Sequence, residues 1–227
     1  MAAKDQLKDL EKRFILGPAR GEWFHLSEPD TKFNALGEFK ATLYLKPEEI
    51  APHFADMREI LAAALPIYQE EENAEAAKKK RKPKELKISD TQPWNAAEME
   101  DGTLQIKVKR AARFTNKDTG DVEDINLPVV DHKGKYLTKE QIAAAKIGNG
   151  TVVRVVVTAR PYNMATQGVG ISLRLEKVQL LKVVQYGGNG MDNEFGEFEG
   201  EFSAPEVPTE PRDSEFSGET EETNYTV

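Results

Sequence analysis

Residues 101–114 (DGTLQIKVKRAARF) form the segment that most restricts how this chain can fold. Side chains alternate between the two faces of a β-strand, and here apolar and basic residues alternate with the same period. One face therefore needs a hydrophobic core, and the other is suited either to solvent or to anions. The apolar face consists of Leu104, Ile106, Val108 and Ala112, and the polar face consists of Gln105, Lys107, Lys109 and Arg113.

The composition excludes several classes of protein and site. The chain has 227 residues and no Cys, so disulfides, thiolate nucleophiles and Cys-based zinc sites are excluded. Its three His residues have no metal-ligand spacing, and its Ser, His and acidic residues show no triad pattern, so we expect no enzyme, metal or cofactor. A metal centre built from Asp and Glu alone remains an open alternative that no motif supports. No apolar run approaches the roughly 20 residues that cross a bilayer, and the N-terminus is too charged for a secretory signal. We expect a cytoplasmic protein without membrane contact.

The net charge of −8 is distributed unevenly along the chain. Residues 191–227 contain 12 of the 39 acidic residues and one of the 31 basic residues, so this tail carries −11. The other 190 residues therefore carry +3. The body of the protein is mildly basic, and a nucleic-acid partner is compatible with its charge.

Periodicity predicts a helix, two strands and a longer helix in the first third of the chain. A short amphipathic helix or arm is expected over residues 5–16, and a short strand over residues 22–26 would place Trp23 in the core. Residues 36–46 alternate as a half-buried strand. A helix is then predicted to begin at Pro47, to bury one stripe of apolar side chains, and to kink or end near Pro66. This stripe consists of Ile50, Phe54, Met57 and Leu61.

The remaining elements follow in the same way. Residues 69–87, including the KKKRK run, are expected to be a solvated helix end or loop, although the run could also attract DNA. Residues 122–130 are predicted to form a hairpin with strand 101–114 across the turn residues 116–120. Thr138 is a suitable N-cap for a short helix over residues 139–146. Strands are predicted over 151–160 and 169–184, the latter long enough to bend or bulge.

Counting only the strong strands, the order matches the OB barrel. The sequence predicts a mainly β fold in which five antiparallel strands form the barrel, with a helical insertion between strands 1 and 2 and a short helix between strands 3 and 4. We predict an N-terminal arm or helix over residues 1–16, a barrel domain over 17–190 and a disordered tail over 191–227.

The solvent faces of these strands collect basic and aromatic residues. A groove that follows phosphates and offers aromatic faces to unpaired bases is what single-stranded nucleic acid needs. Glu38 and Glu176 interrupt the basic surface, and a solvated sheet face is the alternative explanation. The predicted DNA-binding residues are Lys40, Tyr44, Lys107, Lys109, Arg113, Phe114, Arg154, Arg160, Tyr162 and Arg174.

Four segments also resemble a known family. Residues 124–135 (DINLPVVDHKGK), 147–151 (IGNGT), 160–162 (RPY) and 173–188 (LRLEKVQLLKVVQYGG) are similar to the single-stranded DNA-binding proteins of T7-type bacteriophages. The resemblance implies an OB-fold protein that coats single strands during phage DNA replication, recombination and repair, promotes annealing and often forms a homodimer. It also implies a location in the cytoplasm of the infected bacterial host, and a tail that contacts the phage DNA polymerase and helicase-primase.

Individual positions agree with the family to different degrees. Tyr162 corresponds to a family aromatic, and Lys107, Lys109 and Phe114 fall on matching residue types. The sequence departs from the family at four other positions. Ala111 and Met164 replace aromatics, Leu36 replaces Arg, and Val227 replaces a terminal Phe.

The tail combines acidic residues with five aromatics. It could simply keep the protein soluble, or it could fold on a partner. A flexible 37-residue chain spans roughly 35 Å, against a radius of gyration of about 16 Å for the body, so the tail can reach the basic face and compete for it. The predicted partner-binding residues are Phe195, Phe198, Phe202, Phe216, Glu219, Glu221, Glu222, Tyr225 and Val227.

Three functions remain open at this point. The sequence favours a single-stranded DNA-binding and annealing protein. A protein-interaction adaptor whose basic strands bind acidic proteins is the second hypothesis, and preference for single strands over duplex would separate the two. An RNA-binding OB protein is the third, although nothing in the sequence specifically indicates recognition of the 2′-hydroxyl.

Overall fold

Strands that are far apart in the sequence form one curved sheet in the computed structural model, which describes residues 3–117 and 119–185. The predicted tail, with all of its predicted partner contacts, lies outside the described residues. In chain order the elements are α1 (Ala3–Asp9), β1 (Lys12–Asp30), β2 (Glu38–Leu45), α2 (Pro47–Lys78), β3 (Leu104–Ala111), β4 (Arg113–Thr115), β5 (Val122–Asp124), β6 (Val129–Val130), α3 (Lys139–Ala144), β7 (Thr151–Met164) and β8 (Gly168–Lys182), with a 3-10 turn at Pro93–Asn95 before β3.

The sheet closes into a barrel because its two ends meet. The barrel strands are ordered β3-β2-β1-β7-β8, β3 pairs again with β8, and β6 pairs with β8 beside this closure. Neighbouring barrel strands are antiparallel except at the closure, where Lys109 of β3 pairs in parallel with Arg174 of β8. The arrangement confirms the mainly β class and the five-stranded OB barrel.

The structure corrects the position of the long helix among the barrel strands. The sequence predicts it between strands 1 and 2, but α2 connects the second barrel strand, β2, to the third, β3. The difference arises because segment 22–26, too short to count as a strong strand, belongs to the 19-residue strand β1. The short helix α3 lies between the third and fourth barrel strands, as predicted.

The N-terminal helix is shorter than predicted. It ends at Asp9, and residues 12–16 begin β1 and pair with β7. The helical prediction over residues 10–16 is therefore wrong. Pairing with β7 supplies backbone partners to this segment, and strand alternation buries Phe14 and Leu16 on the same face.

Strand β1 follows an irregular course around the barrel. Its pairing with β7 shifts register between Leu16 and Ala19, and its pairing with β2 shifts between Glu22 and His25. Gly17 lies in the first shift with φ +93°, and a Cβ there would lie 2.7 Å from the carbonyl oxygen of Val153. Gly17 therefore permits β1 to bend against β7.

Helix α2 covers one side of the barrel. The predicted stripe is buried, and the helix packs against β1, β7 and β8. The helix does not end at Pro66 but continues to Lys78. Contacts beyond the proline hold it, since the Tyr68 hydroxyl donates to the Pro161 carbonyl at 3.0 Å and the Gln69 side chain donates to the Lys84 carbonyl at 2.8 Å.

The hairpin after β3 is smaller than predicted. Only β4 and β5 pair across the turn, as a separate two-stranded sheet. Residues 122–130 do not form one strand, because β6 leaves the hairpin and pairs in parallel with β8. Pro128, which has no N–H to donate, lies in the break between β5 and β6.

The elements from α3 to β8 agree with the predictions made from the sequence. Thr138 caps α3, accepting from the Gln141 N–H at 3.2 Å. Strand β7 extends the predicted strand to Met164, and β8 bulges against it twice, as its length suggested. The core inside the barrel includes Leu43, Val153 and Leu175, each fully buried. Among residues 3–117 and 119–185, no helix has the length and apolarity to cross a membrane.

Candidate nucleic-acid interface

Four residues form a line across the outside of the barrel. Backbone pairing places His25 opposite Lys40, Lys40 opposite Lys109, and Lys109 opposite Arg174. Because adjacent strands lie about 4.8 Å apart, these residues, which we call the basic row, span roughly 14 Å. Lys107 is exposed two residues before Lys109 on the same face of β3. The predicted outward direction of the β3 lysines is confirmed.

Three side chains of the basic row have carboxylate partners. Such solvent-accessible ion pairs are weak, because water screens their attraction, so a DNA phosphate can replace a carboxylate at small cost. Lys107 has no ion pair within the described part of the chain. The pairs are Lys40 with Asp30, Lys109 with Glu38 at 3.1 Å, and Arg174 with Glu176 at 3.1 Å.

The pairing also affects titration at the row. A hydrogen bond from the Lys40 ammonium and one from the backbone N–H of Lys32 hold the pKa of Asp30 below its ordinary value. Asp30 is therefore ionised at neutral pH and compensates Lys40 when no other anion is present.

A groove of about 430 Å³ follows the seam between β3 and β8. It brings together Lys109, Arg160, Tyr162 and Arg174, all predicted from the sequence. The Tyr162 hydroxyl donates to Ser89 Oγ at 3.2 Å. The Arg160 Nε donates to Glu11 Oε1 at 2.6 Å. The groove therefore offers cations and one partly exposed aromatic ring along a single path.

Arg110 in the same groove is a residue that the sequence reasoning missed. Its Nη1 lies 2.5 Å from Glu176 Oε2, and burial lowers the pKa of its guanidinium. Its Nε is buried and has no hydrogen-bond partner among the described residues. Its even-numbered position on β3, the core-facing set, was the signal that could have singled it out.

A second groove of about 380 Å³ crosses β1, β2 and β3. Its walls include His25, Lys40, Lys107 and Lys109, so it continues the first groove through Lys109. Trp23 also lines it and is 64% exposed, so the prediction of a core tryptophan is wrong. The register shift in β1 turns this ring outward, and no sequence signal located that shift.

Tyr44 does not offer a stacking surface. It is only 7% exposed, its ring lies 4.7 Å from the Arg20 guanidinium carbon, and its hydroxyl donates to Glu22 at 2.9 Å. The expectation of an exposed ring is wrong, because Arg20 covers the outer side of β2 at this position.

Three other predicted residues do not line either groove. Arg113 and Phe114 are on β4, beyond the end of β3, and Arg113 is paired with Asp124 at 2.9 Å. Arg154 is exposed on β7, four residues from Thr158, which pairs with Arg174. This separation along β7 is about 13 Å. The structure does not bring these residues into the basic row.

The part of the chain that the structure describes, residues 3–117 and 119–185, has no group of three or more His, Asp or Glu side chains arranged to hold a metal ion.

Comparisons with known proteins place this architecture in a family. The family model for the single-stranded DNA-binding protein of bacteriophage T7 matches residues 22–183, which is more than half of the chain. The single-stranded DNA-binding protein of Enterobacteria phage T3 is 38% identical over 108 residues, covering 47% of this chain and 45% of the relative. The single-stranded DNA-binding protein of Escherichia phage T7 is 36% identical over 126 residues, covering 54% of this chain and 52% of the relative. The chain thus aligns with about half the length of these curated relatives.

A solved structure agrees over a longer range. The crystal structure of gp2.5, a single-stranded DNA-binding protein encoded by bacteriophage T7, superposes with a TM-score of 0.61 at 25% identity. The superposition covers 86% of this chain and 99% of the gp2.5 chain. With the matched family model, these similarities show that the chain belongs to the family of the bacteriophage T7 single-stranded DNA-binding protein.

Proposed function

We propose that this chain binds single-stranded DNA along the basic row and its two grooves, without sequence preference and without catalysis. The observation that carries the proposal is the register His25–Lys40–Lys109–Arg174, which lines up outward side chains from four strands on the barrel of a T7-type family member. Phosphates bound there release counterions, which supplies affinity for any sequence.

Preference for single strands comes from the aromatic rings beside the cations. Unpaired bases expose π-faces that stack on aromatic side chains, whereas bases in a duplex are already stacked and paired. Tyr162 borders the β3–β8 groove and Trp23 borders the β1–β3 groove, so the cations lie between two aromatic rings. This arrangement supports a path across the barrel rather than a single anion site.

We further propose a role in phage DNA replication, recombination and repair within the cytoplasm of the infected bacterium. Neutralised phosphates allow two complementary strands to approach, which supports annealing. The tail of net charge −11 would compete with DNA for the basic row and recruit the phage DNA polymerase and helicase-primase through its aromatic and acidic residues. Homodimer formation belongs to the same proposal and is supported by the family resemblance.

A binding titration at several salt concentrations tests the proposal. Labelled oligo(dT) should bind more tightly than a duplex of equal length, and log affinity should fall against log salt with a slope of roughly −3 for four phosphates. Lys107→Ala should weaken binding to all sequences and reduce the slope by about 1. Lys133→Ala is the matched control, because this exposed lysine lies in the turn before Lys135, away from both grooves.

Equal affinity for single strands and duplex, or equal effects of the two lysine substitutions, would contradict DNA binding at the basic row.

The same titration with a chain ending at residue 190 tests the tail. Its removal should tighten binding, because a tethered competitor is lost. Weaker binding after removal of the tail would contradict competition by the tail. It would not contradict DNA binding at the basic row.

A further inference from the structure

A cleft of about 760 Å³ lies beside the basic row, between residues 23–28 of β1 and residues 142–149. Its volume is within the range of pockets that bind small organic groups. Apolar walls come from Phe24, Ile142 and Ile147, and polar groups come from Ser27, Glu28 and Asn149. An apolar slot with a few polar groups suits a flat heterocycle better than it suits a phosphate.

Trp23 forms one wall of this cleft in a backbone conformation that is unusual for a bulky residue. Its φ is +54°, in the left-handed region, and its ring is largely exposed. Such a conformation costs roughly 1–3 kcal/mol and persists only where neighbouring groups enforce it. Here the Trp23 N–H donates to Asn149 Oδ1 at 3.0 Å, and the Gly150 N–H donates to the Gly21 carbonyl at 2.9 Å. The loop after α3 therefore holds the backbone of Trp23 in this conformation.

The same indole also lines the groove that contains Lys40, Lys107 and Lys109. Trp23 and His25 thus line both the cationic groove and the apolar cleft. A strand with phosphates along the basic row can pass these side chains and direct one base into the cleft. Lys146, also at the cleft, supplies a cation for the adjoining phosphate.

We infer that the cleft between β1 and α3 binds an unstacked nucleobase of single-stranded DNA, with Trp23 stacking on its face. The inference rests on the proposed DNA binding and adds a base-binding subsite that the basic row does not provide. A base in a duplex cannot enter without leaving its stack, so the subsite also contributes to single-strand preference.

Substitution of Trp23 separates base binding from phosphate binding. Trp23→Ala should weaken oligo(dT) binding by about 5- to 150-fold, the range for loss of one aromatic–base stack. The salt slope should stay unchanged, because no phosphate contact is removed. An abasic oligomer should bind the wild type and Trp23→Ala equally. Circular dichroism and thermal unfolding of each variant establish that it is folded.

Filling the cleft tests whether the base enters it or only rests on the outer face of Trp23. Ala143 is exposed on α3 and lines the cleft, whereas Ala144 is exposed next to it and does not. Ala143→Leu should weaken oligo(dT) binding at least about 5-fold, comparable to loss of a stack, and Ala144→Leu should leave it unchanged. The two variants make the same substitution on the same helix, so differences in helix propensity cancel.

The outcomes distinguish this inference from the proposed function. If Ala143→Leu binds oligo(dT) normally, base binding in the cleft is contradicted, whether or not Trp23→Ala has an effect. DNA binding at the basic row would not be affected by that result. A changed salt slope in Trp23→Ala would also overturn base binding. If the wild-type protein shows no preference for single strands over duplex, the proposed function itself fails.

Discussion

Two neighbouring regions of the barrel differ in how regularly they pair. Strands β2 and β3 are joined by eight consecutive residue pairs, from Glu38 with Ala111 to Leu45 with Leu104, without a register shift. Strand β1, which pairs with β2 on its other side, shifts register against both of its partners. The regular β2–β3 ladder keeps alternation intact, whereas each irregularity in β1 redirects the side chains that follow it.

Trp23 and Tyr44 show the consequence. The sequence favours a buried Trp23 and an exposed Tyr44, and the structure reverses both. The shift between Glu22 and His25 turns Trp23 outward. On the regular strand Tyr44 does point to the outer face, but Arg20 covers it. Alternation therefore predicts the direction of a side chain, while neighbouring elements decide whether it is exposed.

The largest expected effect is a loss of stability, and it tests the regular β2–β3 ladder. Leu43 is fully buried and pairs with Ile106. Leu43→Ala should lower the free energy of unfolding by about 2–5 kcal/mol, because a cavity replaces the lost side chain. Urea unfolding measures the change. Lys107→Ala, on the outer face of the same ladder, should change stability by less than about 0.5 kcal/mol. Equal losses in both variants would contradict the assignment of inner and outer faces.

The next effect tests the first irregularity in β1. Gly17→Ala should destabilise the protein by about 3 kcal/mol, because the left-handed backbone and the close Val153 carbonyl both oppose a Cβ. Gly102 has φ +76° with no atom within 4 Å of the position that a Cβ would occupy, so Gly102→Ala should cost only about 1 kcal/mol. The difference between their thermal unfolding temperatures isolates the close contact. A smaller loss at Gly17 than at Gly102 would show that β1 can relax away from β7.

The smallest effect concerns the salt bridge that joins the two regions, from Asp30 of β1 to Lys40 of β2. The folded-state pKa of Asp30 is below the ordinary 3.8, so its stabilising contribution is present above that pH. It is lost as pH falls through the lower folded pKa, because the unfolded state then binds the proton first. In Asp30→Asn, the acid-induced decrease in unfolding temperature should be shallower below pH 3.8. An unchanged pH profile would mean that Lys40 does not stabilise the ionised carboxyl.

Part of the candidate interface could be predicted because its residues lie on regular strands. Lys40, Lys107 and Arg174 lie between buried apolar neighbours, Lys109 follows the buried Val108, and the direction of all four follows from that pattern. Phe114 could not be placed in this way, because it follows the end of β3 and belongs to a separate hairpin. Arg154 has the predicted outward direction, but its distance from the basic row depends on how β7 is registered against its neighbours.

The sequence by itself determined the local features of this protein: two-faced strands, the buried stripe of α2 and the cap on α3. These features depend on residues a few positions apart, so their spacing is visible in the chain. The tertiary structure decided which strand begins the barrel, how β3 meets β8, and that His25, Lys40, Lys109 and Arg174 form one row. Register between strands is set by hydrogen bonds joining distant residues, and a single bulge changes it. Trp23 depends on such a bulge, and for this reason the base-binding cleft became visible only in the folded protein.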